Sequence, residues 1–319
     1  MVVRGGNRMQ GGDDISWAEL CRIAGQWAGG SAGLREIVPL QGGSTSNTLL
    51  FKMADGKRAV CKVTPHRVDR TVLGEAHQLS VLEAFGVPVP QVYAAQLASL
   101  DQPNSFLLME FMDGVTLAQA RRQATPAAFA ALQAELAGIV ARLHDQTARG
   151  YGKLDGPSAV CDAPHWPAFF RALGEAAVDG ACRHAAIPIK TRKKIEKLHD
   201  RLDHFVCHDD RPRLLHGDLW NSNVLCRQEP GGDWHVAALI DPSLRFGHAE
   251  YELAYMELFD TVTRDFRRTY YARHAADDGY QKIRKPIYQL YPLMHHVNAF
   301  GQRYIAPLLK VAEQATAVV

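Results

Sequence analysis

The sequence has no CxxC pair, no G-x-x-x-x-G-K-[ST] phosphate loop, no G-x-G-x-x-G, no internal repeat and no continuous apolar run of membrane-spanning length. Each absence excludes something. Without CxxC pairing, the scattered Cys21, Cys61, Cys161, Cys182, Cys207 and Cys226 read as reduced thiols rather than a disulfide framework. His204, Cys207, His208 and Asp209 form a single cluster, whereas a structural zinc site needs a second pair of ligands. With 36 basic and 34 acidic residues the net charge is +2, too small a surplus for a dedicated nucleic-acid binder. The basic run Lys190, Arg192, Lys193, Lys194 and Lys197 therefore reads as a solvated helix face. Residues 1–14 are polar and Gly-rich with no apolar core, so the expectation is a disordered start rather than a signal peptide. With no membrane helix expected either, the localisation expected is cytoplasmic.

What is present is a chain of 319 residues, 47% hydrophobic, long enough for about two domains. Ser16 with Glu19 forms a capping box opening a helix over 16–28. An Ile- and Val-rich segment at 34–41 leads into the small-residue loop Gly42–Asn47. Asp55-Gly56 between apolar runs at 49–53 and 58–64 predicts a hairpin with Lys62 in its second strand. A helix follows at 71–85, then strands at 91–97 and 105–111. From Thr125-Pro126, a cap with proline at the first helical position, the pattern turns helical. One β insertion interrupts it, with segments at 223–226 and 235–240 flanking the turn Glu229–Asp233. The fold class predicted is α+β and bilobal. A small antiparallel β-sheet lobe occupies 15–112 and a larger, mainly helical lobe 113–319.

The residues with chemical potential cluster in His216-Gly217-Asp218-Leu219-Trp220-Asn221-Ser222-Asn223 and Ile240-Asp241-Pro242. Asn223 enters the hairpin and Asp241 leaves it, so both can converge on one ion. Such hard oxygen donors suit Mg²⁺, which completes its shell with phosphate and water. Asp218 is then free to take a proton from an attacking hydroxyl. An Asp base, an Asn five residues on and a second Asp on the metal is the division of labour in kinase-type phosphoryl transfer. Lys62 in a buried-looking strand needs a counter-charge, and Glu75 on the next helix is the candidate. Gly43, Ser44, Thr45 and Asn47 could cover phosphates through backbone N–H groups. Glu110 and Met112 end an apolar strand where a two-lobed kinase places adenine.

LLHGDLWNSNVL, ALIDPSLRFGHAEYELAYMELF and PIYQLYPLMHHVNAFG resemble the fructosamine kinase family, relatives of the aminoglycoside phosphotransferases with a protein-kinase-like fold. GGSTSNTLLF, AVCKVTP, GEAHQL and the Trp166-x-x-Phe169-Phe170 segment resemble the family's remaining pieces, so the likeness spans about 36–305. The resemblance implies ATP as donor, Asp218 as base, Mg²⁺ on Asn223 and Asp241, and a Lys62–Glu75 ion pair. Two departures stand out: Glu252 where such families usually carry Asp, and Asn221-Ser222-Asn223 in place of Ser-Gly-Asn. Glu252 could still brace the catalytic loop.

On the acceptor side the expectation is a small molecule with hydroxyl groups, favouring a ketosamine. Trp220 could stack on it or pack in the core. His216 is placed beside it. Glu250 and Glu252 belong to an acidic stretch, 241–265, that could meet a cationic amine or form a solvated face. The alternatives are an antibiotic phosphotransferase (aminoglycoside or nucleoside) and a non-catalytic pseudokinase module. No nucleic-acid or membrane partner is expected, and the chain reads as a monomer or homodimer.

Overall fold

The computed structural model describes residues 15–28, 33–40, 47–208, 211–275 and 277–319. They divide into two units. One runs to Asp113 and takes in Asp155–Pro157; the other holds Gly114–Leu154 and Ser158–Val319. The expectation of disorder over 1–14 falls outside the described residues, as do Gly43, Ser44 and Thr45.

The first unit comprises α1 (Trp17–Ala28), β1 (Leu34–Pro39), β2 (Asn47–Met53), β3 (Arg58–Thr64), α2 (Thr71–Ala84), β4 (Val92–Gln96) and β5 (Ser105–Glu110). The capping box is present: Ser16 N donates to Glu19 Oε2 at 2.9 Å and Glu19 N to Ser16 Oγ at 3.3 Å. The five strands form one antiparallel sheet in the order β1-β2-β3-β5-β4. Strand alternation sorts its side chains. Ala59, Cys61 and Val63 of β3 and Phe106 and Leu108 of β5 pack with Leu20, Ile23 and Ala24 of α1. Val60, Leu107 and Met109, one residue out of phase, pack with Val72 and Leu79 of α2. Lys62 shares the phase of Val60, so it falls on the α2 face. Gly74 lets α2 lie close to the Asp155–Pro157 segment, because a Cβ there would sit 2.7 Å from the Asp155 carbonyl oxygen.

The second unit begins with β6 (Val115–Thr116), α3 (Leu117–Gln123), α4 (Pro126–His144) and β7 (Gly152–Lys153). It continues through α5 (Trp166–Arg183), α6 (Ile189–Asp200), β8 (Arg213–Leu215), β9 (Val224–Gln228), β10 (Trp234–Leu239) and β11 (Arg245–Gly247). It ends with α7 (Ala249–Leu258), α8 (Arg264–Tyr271), α9 (Lys285–Phe300) and α10 (Ile305–Ala315). The single β insertion expected from sequence is β9 and β10, which β6 joins in one small sheet, β10-β9-β6; a second small sheet, β7-β11-β8, is not expected from sequence. Strands of two or three residues carry too few positions for a period to show. α4 is, among the described residues, long and apolar enough to cross a membrane. Its Leu132, Leu136, Ala137, Val140 and Leu143 are fully buried, and it packs on α8 and β10 as a core helix of the unit.

Candidate active site

In the first unit, Lys62 Nζ donates to Glu75 Oε1 at 2.6 Å, with both side chains largely buried. Sheet phase points Lys62 at α2, and Asp69 sets where α2 begins. Asp69 accepts from Thr71 N at 3.0 Å and from Thr64 Oγ1 at 2.8 Å, while its own N–H donates to Ser105 Oγ at 2.9 Å. One carboxylate thus ties the helix start to the end of β3 and the start of β5. Burial opposes its charge, but the bonds from Thr71 and Thr64 hold its carboxyl below the usual range. The sequence reading missed Asp69; an Asp two residues before a helix is its only local signal. Asn47 opens β2 opposite Val63. Glu110 closes β5 and accepts from Gln91 N at 3.2 Å, and Met112 is half-buried beyond it.

In the second unit the loop after β8 is tightly constrained. Gly217 has φ +83, and a Cβ on it would lie 2.0 Å from the Ser243 carbonyl oxygen. Ser243 N donates to His216 O at 2.8 Å, so the 216–218 and 241–243 segments cross backbone to backbone. Ile240 N donates to Asn223 O at 3.0 Å, closing the β9–β10 hairpin and bringing Asp241 beside Asn223. Asp241 sits at φ +56, a left-handed conformation that costs an L-residue free energy and clusters at functional sites.

Asn223 Nδ2 donates to Asp218 O at 2.9 Å and to Asp218 Oδ2 at 3.2 Å. That commits the amide nitrogen and leaves its oxygen as the atom for a cation. Tyr255 on α7 donates its phenol to Asp218 Oδ1. Burial and the charge of Asp241 push the Asp218 carboxyl up to about 6, while the bonds from Tyr255 and Asn223 and the charge of Arg245 pull it back. Asn223 and Asp241 supply an amide and a carboxylate oxygen, a donor set that fits Mg²⁺ sharing its shell with phosphate and water.

Glu252 grips the same loop. Its carboxylate accepts from Gly217 N at 2.6 Å and His216 N at 3.1 Å, and His144 Nε2 lies 3.0 Å away. His144 Nδ1 in turn meets Tyr270 OH at 2.7 Å. Burial works against the Glu252 charge, but the hydrogen bonds from His144 and the Gly217 N–H hold its carboxyl below the ordinary value. The longer side chain at this position does brace the loop.

Two expectations on the acceptor side are corrected. His216 is 0% exposed and Glu252 2% exposed, so both hold the loop from inside rather than face a solute. Burial pushes the His216 imidazole down, which keeps it neutral. Glu250 is bound by Arg284 through two hydrogen bonds of 2.6 and 2.7 Å, so its charge is already answered. Glu257 is likewise paired with Lys285, Asp260 with Arg121 and Asp265 with Arg268. Counting charges along the sequence cannot reveal partners supplied from elsewhere in the chain. Trp220 is half-buried, edge-on to Phe259 at 6.0 Å between ring centroids. Trp166 is core, stacked on His248 at 4.8 Å and donating to Tyr288 OH at 3.0 Å. Tyr255 and Gly217 were also missed from sequence; Tyr255 lies three residues after Glu252, on the same helical face.

The sequence profile of the fructosamine kinase family matches residues 16–317. A probable ketoamine kinase of Enterococcus faecium is 28% identical over 277 residues, covering 84% of this chain and 91% of its own. The ketosamine-3-kinase of Mus musculus is 35% identical over 100 residues, 31% of this chain and 30% of its own. The crystal structure of a candidate fructosamine-3-kinase from Thermobifida fusca superposes with a TM-score of 0.72 at 25% identity, over 93% of this chain and 98% of that one. The aminoglycoside phosphotransferase APH(4)-Ia, in complex with AMP-PNP and hygromycin B, gives a TM-score of 0.65 at 17% identity over 94% and 99%, a likeness of fold. With its α+β, protein-kinase-like architecture, this chain belongs to the fructosamine kinase family and is an ATP-dependent phosphotransferase.

Proposed function

We propose that the chain phosphorylates a hydroxyl of a ketosamine, a sugar carrying an amine-linked substituent, with Asp218 as general base. The observation that carries this reading is the Asp218 carboxylate itself. It is held at one oxygen by Tyr255 and at the other by Asn223, beside Asp241. A base whose proton affinity is raised toward neutrality is still ionised at pH 7 yet able to take a proton.

In this reading Lys62, fixed by Glu75, binds the donor's phosphates, and Asn47, Glu110 and Met112 line the rest of the nucleotide's place. Gly43, Ser44 and Thr45 are assigned to the donor's phosphates on their sequence alone. Asn223 and Asp241 would hold Mg²⁺, which would offset the charge that builds on the phosphates during transfer. Asp218 accepts the acceptor's hydroxyl proton as that oxygen bonds to the γ-phosphorus and the bond to the β-phosphate oxygen breaks. Glu252 and Gly217 keep the loop in the one backbone path that presents Asp218. Trp220 offers an apolar ring to the acceptor.

The family membership favours ketosamines over antibiotics, for which fold likeness alone speaks. The test is an ADP-release screen across fructosyl-amines, aminoglycosides and nucleoside antibiotics. Release with fructosyl-amines is expected. Release with antibiotics only would overturn the acceptor class, and no release with any acceptor would favour a binding module.

A further inference from the structure

We propose that Tyr255 is a positioning residue for phosphoryl transfer, its phenol fixing the Asp218 carboxylate in the orientation that receives the acceptor's hydroxyl. The inference rests on the reading of Asp218 as base. Asp218 lies in no helix or strand; it follows Gly217, at φ +83, and precedes the turn into β9. No regular backbone ladder holds it, so its side chain takes its direction from hydrogen bonds. Asn223 supplies one, to Oδ2, from the loop's own far end. Tyr255 supplies the other, to Oδ1, from α7. Two donors on opposite oxygens fix the carboxylate's rotation as well as its place, which one donor cannot do.

The donor is itself anchored. The Tyr255 ring packs edge-on against Phe259, the residue that caps the end of α7, with centroids 4.9 Å apart. Glu252, one turn earlier, binds the backbone N–H groups of His216 and Gly217. Residues three and four apart share a helix face. One face of α7 therefore clamps the loop twice, by its backbone through Glu252 and by its base through Tyr255. Burial and the neighbouring Asp218 charge push the phenol's proton affinity far above neutral, so Tyr255 stays a donor. A carboxylate oxygen has a second lone-pair site, so the acceptor's hydroxyl can bind Oδ1 beside the phenol.

The test is a double-mutant cycle in the full chain with Tyr255→Phe and Asp218→Asn. It follows ADP release from ATP–Mg²⁺ with fructosyl-lysine and, in parallel, with water as the acceptor. Misplacing a catalytic group by about 1 Å can cost on the order of 100-fold. Tyr255→Phe should lower kcat by about 10- to 100-fold and leave KM for ATP and acceptor within about two-fold. In the Asp218→Asn background, Tyr255→Phe should cause no further loss, because the effect passes through Asp218. Tyr255→Leu, which also removes the ring, should be as slow as Tyr255→Phe if the phenol matters. A Phe variant with wild-type kcat, or an equal loss in both backgrounds, would overturn the proposal. Wild-type turnover in Asp218→Asn alone would instead overturn the base assignment.

Discussion

Replacing Asp218 with Asn should lower turnover by about 100- to 10,000-fold, leaving a measurable residual rate, and at the same time stabilise the fold. The reasoning is electrostatic linkage. The Asp218 carboxyl is pushed up to about 6 from an ordinary 3.8, with burial the largest cause and the Asp241 charge adding to it. Between those values the folded protein holds a proton that the unfolded chain has lost, so folding stability declines as pH rises through that window. Below pH 3.8 the contribution is absent, and above about 6 it is complete. The difference between the two values corresponds to about 3 kcal/mol of destabilisation at pH 7. Asn carries no charge and removes it. The replacement amide faces the Asn223 amide, which adds a pH-independent cost of about 1–2 kcal/mol. The net gain at pH 7 is about 1–2 kcal/mol, a rise in Tm of roughly 2–6 °C. The assay is denaturant unfolding of both proteins in EDTA from pH 4 to 7.5. The stability difference should swing by about 2.5 kcal/mol in favour of Asn across that range. A difference that does not change with pH would refute the argument that Asp218 is held ionised against its surroundings.

Other consequences follow from named contacts. Glu252→Ala leaves two buried backbone N–H groups and His144 without their acceptor, and should cost about 3–5 kcal/mol by denaturant unfolding. Gly217→Ala places a Cβ 2.0 Å from the Ser243 carbonyl oxygen at φ +83, and should cost about 3 kcal/mol or more together with activity. Lys62→Ala should weaken ATP binding by about 10- to 100-fold by calorimetry, with Lys62→Arg a poor rescue because its planar fork does not match a point-charge site. Asp241→Ala should abolish the Mg²⁺ dependence of nucleotide affinity; unchanged Mg²⁺ dependence would sink the metal assignment.

Much of this arrangement is legible in the sequence because it rests on local rules. Asp55-Gly56 between apolar runs specifies the hairpin, and β-strand phase then places Lys62 opposite α2. The spacing of Asp218, Asn223 and Asp241 is readable because a hairpin must bring its ends together. What escaped was long-range. Glu252 reaches backbone 35 and 36 residues away, and Tyr255 meets Asp218 37 residues away. No spacing rule announces such pairs. The partner of Glu250 escaped for the same reason: Arg284 answers it from 34 residues further on. Gly217 hid in plain view within HGD, since only the backbone crossing at Ser243 shows why no side chain fits there.

The function stands or falls on the product formed from ATP–Mg²⁺ and fructosyl-lysine, identified by mass spectrometry and phosphorus NMR for the wild type and for Asp218→Asn. A phosphorylated sugar from the wild type and at most a trace of it from the variant at equal times is the predicted result. Product at the wild-type rate from the Asp218→Asn variant, or phosphorylation of aminoglycosides while fructosyl-lysine stays untouched, would contradict it.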